Sequence, residues 1–133
     1  MKTFFLISVV LTNILFAQTI YIASPSCVVN SLSKYQLKQF YLGHLYQHND
    51  KKVIALNIED SALQKEFTTT ILNKTPNQLK MYWSRMLFTG RKTPLDTIKY
   101  EDLSKLEQSK ECHITYVQEG KVAQNWSIIE ISE

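Results

Sequence analysis

The strongest constraint on the fold of this 133-residue chain is one helix, within residues 74–94, that carries both a start and a stop signal. Thr75 has the side-chain oxygen that an N-cap needs, Pro76 suits the first helical position, and Gln78 completes a capping box. Gly90 is placed to end the helix in a left-handed conformation, and a proline four residues later prevents its continuation. The sequence therefore predicts a helix of about four turns.

Apolar residues recur along this helix at the spacing of a single face, i, i+3, i+4 and i+7. They are Leu79, Tyr82, Trp83, Met86 and Leu87. An aromatic stripe of this kind is usually part of a core, so we expect Tyr82 and Trp83 to be buried rather than to line a ligand groove. Cationic residues lie near the end of the helix, where they are expected to complement its free carbonyl groups rather than to bind an anion. These are Arg85, Arg91 and Lys92.

The N-terminal segment, residues 1–17, resembles a secretory signal peptide. It has one lysine, an apolar run from Phe4 to Phe16 and a small residue at Ala17. The run is short for a membrane span, which needs about 20 apolar residues. We therefore expect residues 1–17 to be a signal peptide and the mature protein to be periplasmic.

Residues 18–133 are enough for one domain of ordinary size. They contain 14 Lys and Arg, since Lys2 lies in the leader, against 12 Asp and Glu, which gives a net charge of +2. The charges look scattered in the sequence, which argues against a nucleic-acid partner. No second apolar run is long enough to be a stable membrane anchor.

The two cysteines, Cys27 and Cys112, form an even pair in a chain expected to fold in an oxidising compartment. A disulfide between them would close a long loop and contribute about 2 to 4 kcal/mol. Two buried thiols are the alternative, and the sequence leaves both open.

Strand and helix signals alternate along the mature chain, which predicts an α/β fold. Capping residues open helices at Ser33 and at Asp60 or Ser61, and a further helix is expected from Tyr100 to Ser109. Short β-branched or apolar runs predict strands, and a turn at 119–120 predicts a terminal hairpin. The strands are Thr19–Ala23, Val53–Leu56, Ile114–Val117 and a weaker Val122–Ile131. A small mixed sheet flanked by about four helices follows.

Catalytic and metal motifs are not evident. His44 and His48 have helical i, i+4 spacing with Asp50 nearby, but Gly43 has just ended the helix, so a solvated loop is favoured over a metal site. His113, next to Cys112, is similarly isolated. The chain contains no H-E-x-x-H, G-x-S-x-G, C-x-x-C or P-loop pattern, so we expect neither an enzyme nor a cofactor.

Four pieces of the sequence together resemble the short periplasmic proteins related to the phosphate-binding proteins of ABC transporters. They are S-L-S-K-Y-Q-L-K-Q-F-Y-L-G, V-I-A-L-N-I-E-D-S-A-L-Q-K-E-F, T-P-N-Q-L-K-M-Y-W-S-R-M-L-F-T-G-R and C-H-I-T-Y-V. Their order and spacing cover nearly all of the mature chain. The resemblance implies a single periplasmic-binding-protein-like lobe over residues 18–133.

The resemblance also implies where a ligand would bind. The family's phosphate-binding arginine falls on Asn57, and its G-S-G-T helix start falls on Asp60-Ser61-Ala62-Leu63. Only Ser61 matches the family's pattern. The glycines that allow close backbone approach are missing, and Asp60 would repel an anion at a helix start.

Two functions from different classes are compatible with these residues. The first is a substrate-binding module that recognises a small oxyanion such as phosphate, weakly, through Ser61 and Asn57. The second is an envelope scaffold or protein-interaction domain that has kept the lobe and lost the ligand.

Overall fold

The computed structural model describes residues 18–133, and the predicted signal peptide, residues 1–17, lies outside the described residues. The nine strands of this region are β1 Thr19–Ala23, β2 Ser31–Ser33, β3 Gln47–His48, β4 Lys51–Ala55, β5 Asn57–Ile58, β6 Thr97–Ile98, β7 Cys112–Gln118, β8 Ser127–Ile128 and β9 Glu130–Ser132. Three α-helices, α1 Lys34–Tyr41, α2 Ser61–Thr70 and α3 Pro76–Phe88, precede a 3₁₀ helix at Tyr100–Gln108.

The main sheet is mixed and has the strand order β3-β4-β7-β1-β8. β7 is its central strand, antiparallel to β1 and parallel to β4. Cys112 to Val117 are all buried, so β7 is covered on both faces. Two short parallel pairs, β2 with β9 and β5 with β6, complete the sheet structure. The predicted α/β class with a small mixed sheet is confirmed.

Aromatic side chains join the helices to the sheet. Phe67 of α2 stacks on Tyr116 of β7 with ring centroids 4.1 Å apart, and Tyr41 of α1 meets Phe67 edge-on at 4.6 Å. The hydroxyl of Tyr41 donates a hydrogen bond of 2.7 Å to the carbonyl of Leu56. These contacts fix α1 and α2 on the sheet, since buried aromatic pairs contribute beyond their buried area.

The predicted helix starts are confirmed. Ser33 caps α1 and Thr75 caps α3, each in a complete capping box with a glutamine three residues later. Asp60 caps α2 by accepting a hydrogen bond from the N–H of Leu63. Gly90 follows the end of α3 with φ +68°, the left-handed conformation that its position predicts.

The end of the chain differs from the prediction. The predicted helix at Tyr100–Ser109 is a 3₁₀ helix, and its Leu103 is buried. The predicted hairpin with a strand over Val122–Ile131 is wrong. Two short strands replace it: β8 pairs with β1, and β9 pairs with β2.

The predicted burial of the α3 stripe is also wrong. No residue of α3 is buried, and Leu87 is 57% exposed. Leu79 and Tyr82 pack against the edge of the core, whereas Trp83 is only half-buried and lies outside it. Part of the apolar face of α3 is therefore available for another role.

Cys27, in the segment after β1, and Cys112, the first residue of β7, are paired as a disulfide in the structure. Their Cα atoms are 5.0 Å apart, within the usual range for a bridge, and both residues are buried. The bridge would close a loop of 85 residues around most of the domain.

Candidate functional site: a groove between two helices

A groove of about 440 Å³ lies between α2 and α3. Each helix presents one face to it, at the spacing i, i+3, i+4, i+7. The α2 face consists of Ser61, Gln64, Lys65 and Thr68, and the α3 face consists of Pro76, Leu79, Lys80 and Trp83. Asn57 in β5 and the residues Pro94 and Leu95, between α3 and β6, complete the lining.

The two walls differ in chemistry. The α2 wall is polar, while the α3 wall with Pro94 and Leu95 is mainly apolar. Lys65 and Lys80 supply positive charge from opposite walls, and no carboxylate of the described residues lines the groove. Within residues 18–133, neither lysine forms an ion pair. The groove therefore has a net positive charge beside an apolar surface.

The start of α2 carries a fixed negative charge next to this groove. Asp60 Oδ1 accepts the N–H of Leu63 at 3.2 Å, and Asp60 Oδ2 accepts the hydroxyl of Tyr100 at 3.0 Å. Burial, with a smaller effect of Asp60, raises the pKa of Tyr100 to about 12, so this hydroxyl stays protonated and donating at neutral pH. The carboxylate is thus held in place, where it opposes an anion at the helix start.

Asn57 has a structural role that the sequence did not reveal. Its side-chain oxygen accepts the hydroxyl of buried Tyr116 at 2.9 Å, and its backbone N–H bonds to the carbonyl of Asp96. Burial raises the pKa of Tyr116, so this hydroxyl too remains a donor. An arginine at position 57 would remove this acceptor from Tyr116.

The structure brings the two candidate ligand residues, Asn57 and Ser61, together in the lining of one groove. Cys27 and Cys112 line a separate, smaller cavity of about 220 Å³.

His44 and His48 are not paired with each other. The ring of His44 lies 3.2 Å from the hydroxyl of Tyr82, and His48 is in β3. Among the described residues, no three His, Cys, Asp or Glu side chains are grouped so as to hold a metal ion.

Sequence reasoning missed Lys65, Lys80 and the exposure of Trp83. One signal was present: the stretch from residue 67 to residue 95 contains no Asp or Glu but five cations, Lys74, Lys80, Arg85, Arg91 and Lys92. The charges are thus less evenly scattered than they first look, and α3 is at the centre of the positive stretch.

The fold is an α/β lobe of the kind found in substrate-binding proteins. No protein-family model and no curated protein matches the sequence. Solved structures do match over 86% to 88% of the chain.

An ABC-type phosphate transport receptor from Vibrio cholerae has a TM-score of 0.60 and 13% identity, with 86% of this chain and 46% of that chain covered. A putative phosphate ABC transporter substrate-binding protein with bound phosphate from Clostridium perfringens has a TM-score of 0.59 and 18% identity. The match covers 86% of this chain and 45% of that chain. PstS from Borrelia burgdorferi has a TM-score of 0.55 and 14% identity, with 88% of this chain and 48% of that chain covered.

These similarities confirm the fold implied by the sequence resemblance, a single periplasmic-binding-protein-like lobe. The chain spans just under half the length of the phosphate-binding proteins that it matches. In the part that the structure describes, no helix is both long enough and apolar enough to cross a bilayer.

Proposed function

We propose that this chain is a periplasmic substrate-binding module that binds a small oxyanion such as phosphate weakly in the groove between α2 and α3. The observation that carries the proposal is the lining of the groove. Ser61 and Asn57 lie there with Lys65 and Lys80, and no carboxylate is among them. The similarity to a substrate-binding protein with bound phosphate supports the choice of ligand.

Weak affinity follows from the groups around the start of α2. A hydrogen bond to a charged group contributes about 1.5 to 3 kcal/mol, and here no arginine lines the groove. Asp60 adds a repulsion of about 1 kcal/mol per unit charge at about 4 Å in water. Since about 1.4 kcal/mol is a factor of ten, we expect phosphate to bind only at about millimolar concentration or above.

The proposal includes export and excludes catalysis. Residues 1–17 would direct the chain to the periplasm, where the pairing of Cys27 with Cys112 suits an oxidising compartment. The similar structures are a transport receptor and a substrate-binding protein, and we expect this chain likewise to bind a ligand without transforming it. The module is expected to need no cofactor.

Calorimetric titration of residues 18–133 with phosphate tests the ligand and the site together. Lys65→Gln and Lys80→Gln should each weaken binding, and added salt should do the same. Ser84→Ala is the matched surface control, since Ser84 is exposed on α3 and does not line the groove. Phosphate binding that is indifferent to both lysines, or absent even at high millimolar concentration, would contradict the proposal.

Asp60→Asn is the most specific variant for the proposed electrostatics. Asparagine caps a helix about as well as aspartate, and its single side-chain oxygen can replace Oδ1 as the acceptor of the Leu63 N–H. The variant therefore removes the charge together with the acceptor of the Tyr100 hydroxyl. Losing a repulsion of about 1 kcal/mol should tighten phosphate binding about fivefold. An unchanged or weaker affinity would show that the anion does not approach the start of α2.

A second candidate function, a protein-interaction domain of the cell envelope, is favoured by a different observation. Met81, Leu87 and Phe88 of α3 are 63%, 57% and 95% exposed within the stretch that has five cations and no acid. Such a surface would suit a protein partner with an acidic and partly apolar surface.

A crosslinking pull-down from the periplasm tests this second function when the wild type is compared with a Leu87→Ser, Phe88→Ser double variant. We expect an acidic partner to be captured by the wild type and lost from the variant. Equal capture by both proteins would exclude this surface.

A further inference from the structure

Trp83 lies at the edge of the groove rather than in the core. It meets Tyr82 edge-on with ring centroids 5.2 Å apart, and Tyr82 is anchored by a 2.6 Å hydrogen bond from its hydroxyl to the carbonyl of Leu42. Behind the indole lies Gly43, where an added Cβ would be 3.3 Å from the ring. Packing on these sides restricts the indole, while another part of it lines the groove.

Besides this close approach, the backbone conformation also favours glycine at position 43, because its φ of +75° after the end of α1 is left-handed. The ammonium group of Lys92 donates to the Gly43 carbonyl, which ties the segment after α3 to the same point. The indole of Trp83 is therefore preorganised, and a ligand that packs on the indole would not have to order this side chain on binding.

The groove is larger than an inorganic ion such as phosphate requires. A volume of about 440 Å³ falls in the range of about 300 to 1,000 Å³ that is typical of pockets for organic ligands. Five of its eleven lining residues are apolar or aromatic: Pro76, Leu79, Trp83, Pro94 and Leu95. A phosphate ion alone would leave this apolar wall in contact with water.

The charge of the groove points to an anionic group on the same ligand. Lys65 and Lys80 face the groove from α2 and α3, and both side chains are exposed and free of carboxylate partners in the described region. Lys65 is more than one turn beyond Asp60, so an anion at the lysines is farther from the fixed carboxylate than one at the helix start.

We infer that the groove between α2 and α3 takes an organic anion, whose phosphate or carboxylate group meets Lys65 and Lys80 while an aromatic or branched apolar body packs on Trp83 and Leu79. The inference rests on the proposed function and names the class of substrate for the same site. It adds an apolar body to the phosphate that is bound to one of the similar structures.

Three probes separate the contributions of charge and apolar body: phenyl phosphate, inorganic phosphate and phenol. Each is titrated into residues 18–133 by calorimetry. Burying one face of the phenyl ring on Trp83 should make phenyl phosphate bind at least about tenfold more tightly than inorganic phosphate. It should also bind at least about tenfold more tightly than phenol, which lacks the anion.

Variants assign the two parts of the ligand to residues. Trp83→Ala should weaken phenyl phosphate about tenfold and leave inorganic phosphate within about twofold, whereas Trp83→Phe should restore most of the loss. Phe88→Ala is the matched control, an exposed aromatic residue of the same helix outside the groove. The double variant Lys65→Gln, Lys80→Gln should weaken both anions. Circular dichroism confirms that each variant is folded.

The outcomes distinguish this inference from the proposed function. Equal affinities for phenyl phosphate and inorganic phosphate, both lowered by the lysine variants, would overturn the inference and leave the proposed oxyanion site standing. Phenol binding as tightly as phenyl phosphate would also overturn the inference, because the anion would then contribute nothing. Failure of both anions to bind would overturn the proposed function together with the inference.

Discussion

At the scale of single residues, Trp83 shows how far burial can depart from periodicity. The i, i+3, i+4, i+7 pattern correctly identifies which face of α3 is apolar. It does not show whether another part of the protein packs against that face. In the structure the tryptophan is half-buried at a groove, whereas Phe67 of α2 is 1% exposed and stacked on Tyr116. The sequence offers no local signal that separates the two.

The stabilities of two alanine variants should reflect this difference. Phe67→Ala removes a core ring and should lower the free energy of unfolding by about 3 to 5 kcal/mol. Trp83→Ala removes partial contacts with Tyr82 and Gly43 and should cost about 1 to 2 kcal/mol. Chemical denaturation with the slope compared between variants measures both. A Trp83→Ala loss as large as that of Phe67→Ala would place the indole in the core.

His113 gives the domain a dependence of stability on pH. It is buried beside the disulfide, and burial lowers its pKa despite the partly opposing effect of Glu111 at 3.7 Å. The unfolded chain therefore binds a proton at higher pH than the folded chain does, and stability falls as pH drops below about 6.5. Urea denaturation at pH 7.5 and pH 5.5 should show this loss. His113→Gln should reduce it, and an equal loss in that variant would assign the dependence to other groups.

At the scale of elements, the sequence predicted helix starts better than strand partners. Capping boxes are local, so Ser33 with Gln36 and Thr75 with Gln78 could be recognised from residues three positions apart. The last strands could not, because β8 and β9 pair with β1 and β2 at the opposite end of the chain. A turn at Gly120 is present, yet nothing local shows that the chain after it leaves β7 rather than returning along it.

The cap of α3 can be tested by itself. Thr75→Ala removes the side-chain acceptor of the Gln78 N–H and should lower stability by about 1 kcal/mol. Thr70→Ala near the end of α2 is the control, because Thr70 is exposed and its hydroxyl bonds only within its own helix, to Glu66. Alanine has the higher helix propensity, so the control should be neutral or slightly stabilising. Equal losses in the two variants would mean that the cap contributes nothing specific.

At the scale of the whole molecule, the ligand site differs from what was expected when the family's binding residues were assigned to matching positions in this sequence. Asn57 and Ser61 do line one groove, but Asn57 is engaged with Tyr116 and the helix start is occupied by the Asp60 carboxylate. The lysines and the indole that give the groove its character come from positions that the resemblance did not assign. They are brought together only by the packing of α2 beside α3, which is a tertiary property.

The link between Cys27 and Cys112 is the contact that most constrains the unfolded chain, and it connects stability to cellular location. Closing a loop of 85 residues should stabilise the fold by about 4 to 5 kcal/mol in the chain-entropy model, or less where the reduced chain retains structure. We therefore expect the Cys27→Ser, Cys112→Ser double variant to lose about 2 to 5 kcal/mol in denaturation. Mass spectrometry of the native protein from the periplasmic fraction should find a chain that begins near Gln18 and is lighter by two hydrogens than its reduced form. A full-length chain with two free thiols would contradict both export and the bridge, whereas a processed chain with free thiols would contradict the bridge alone.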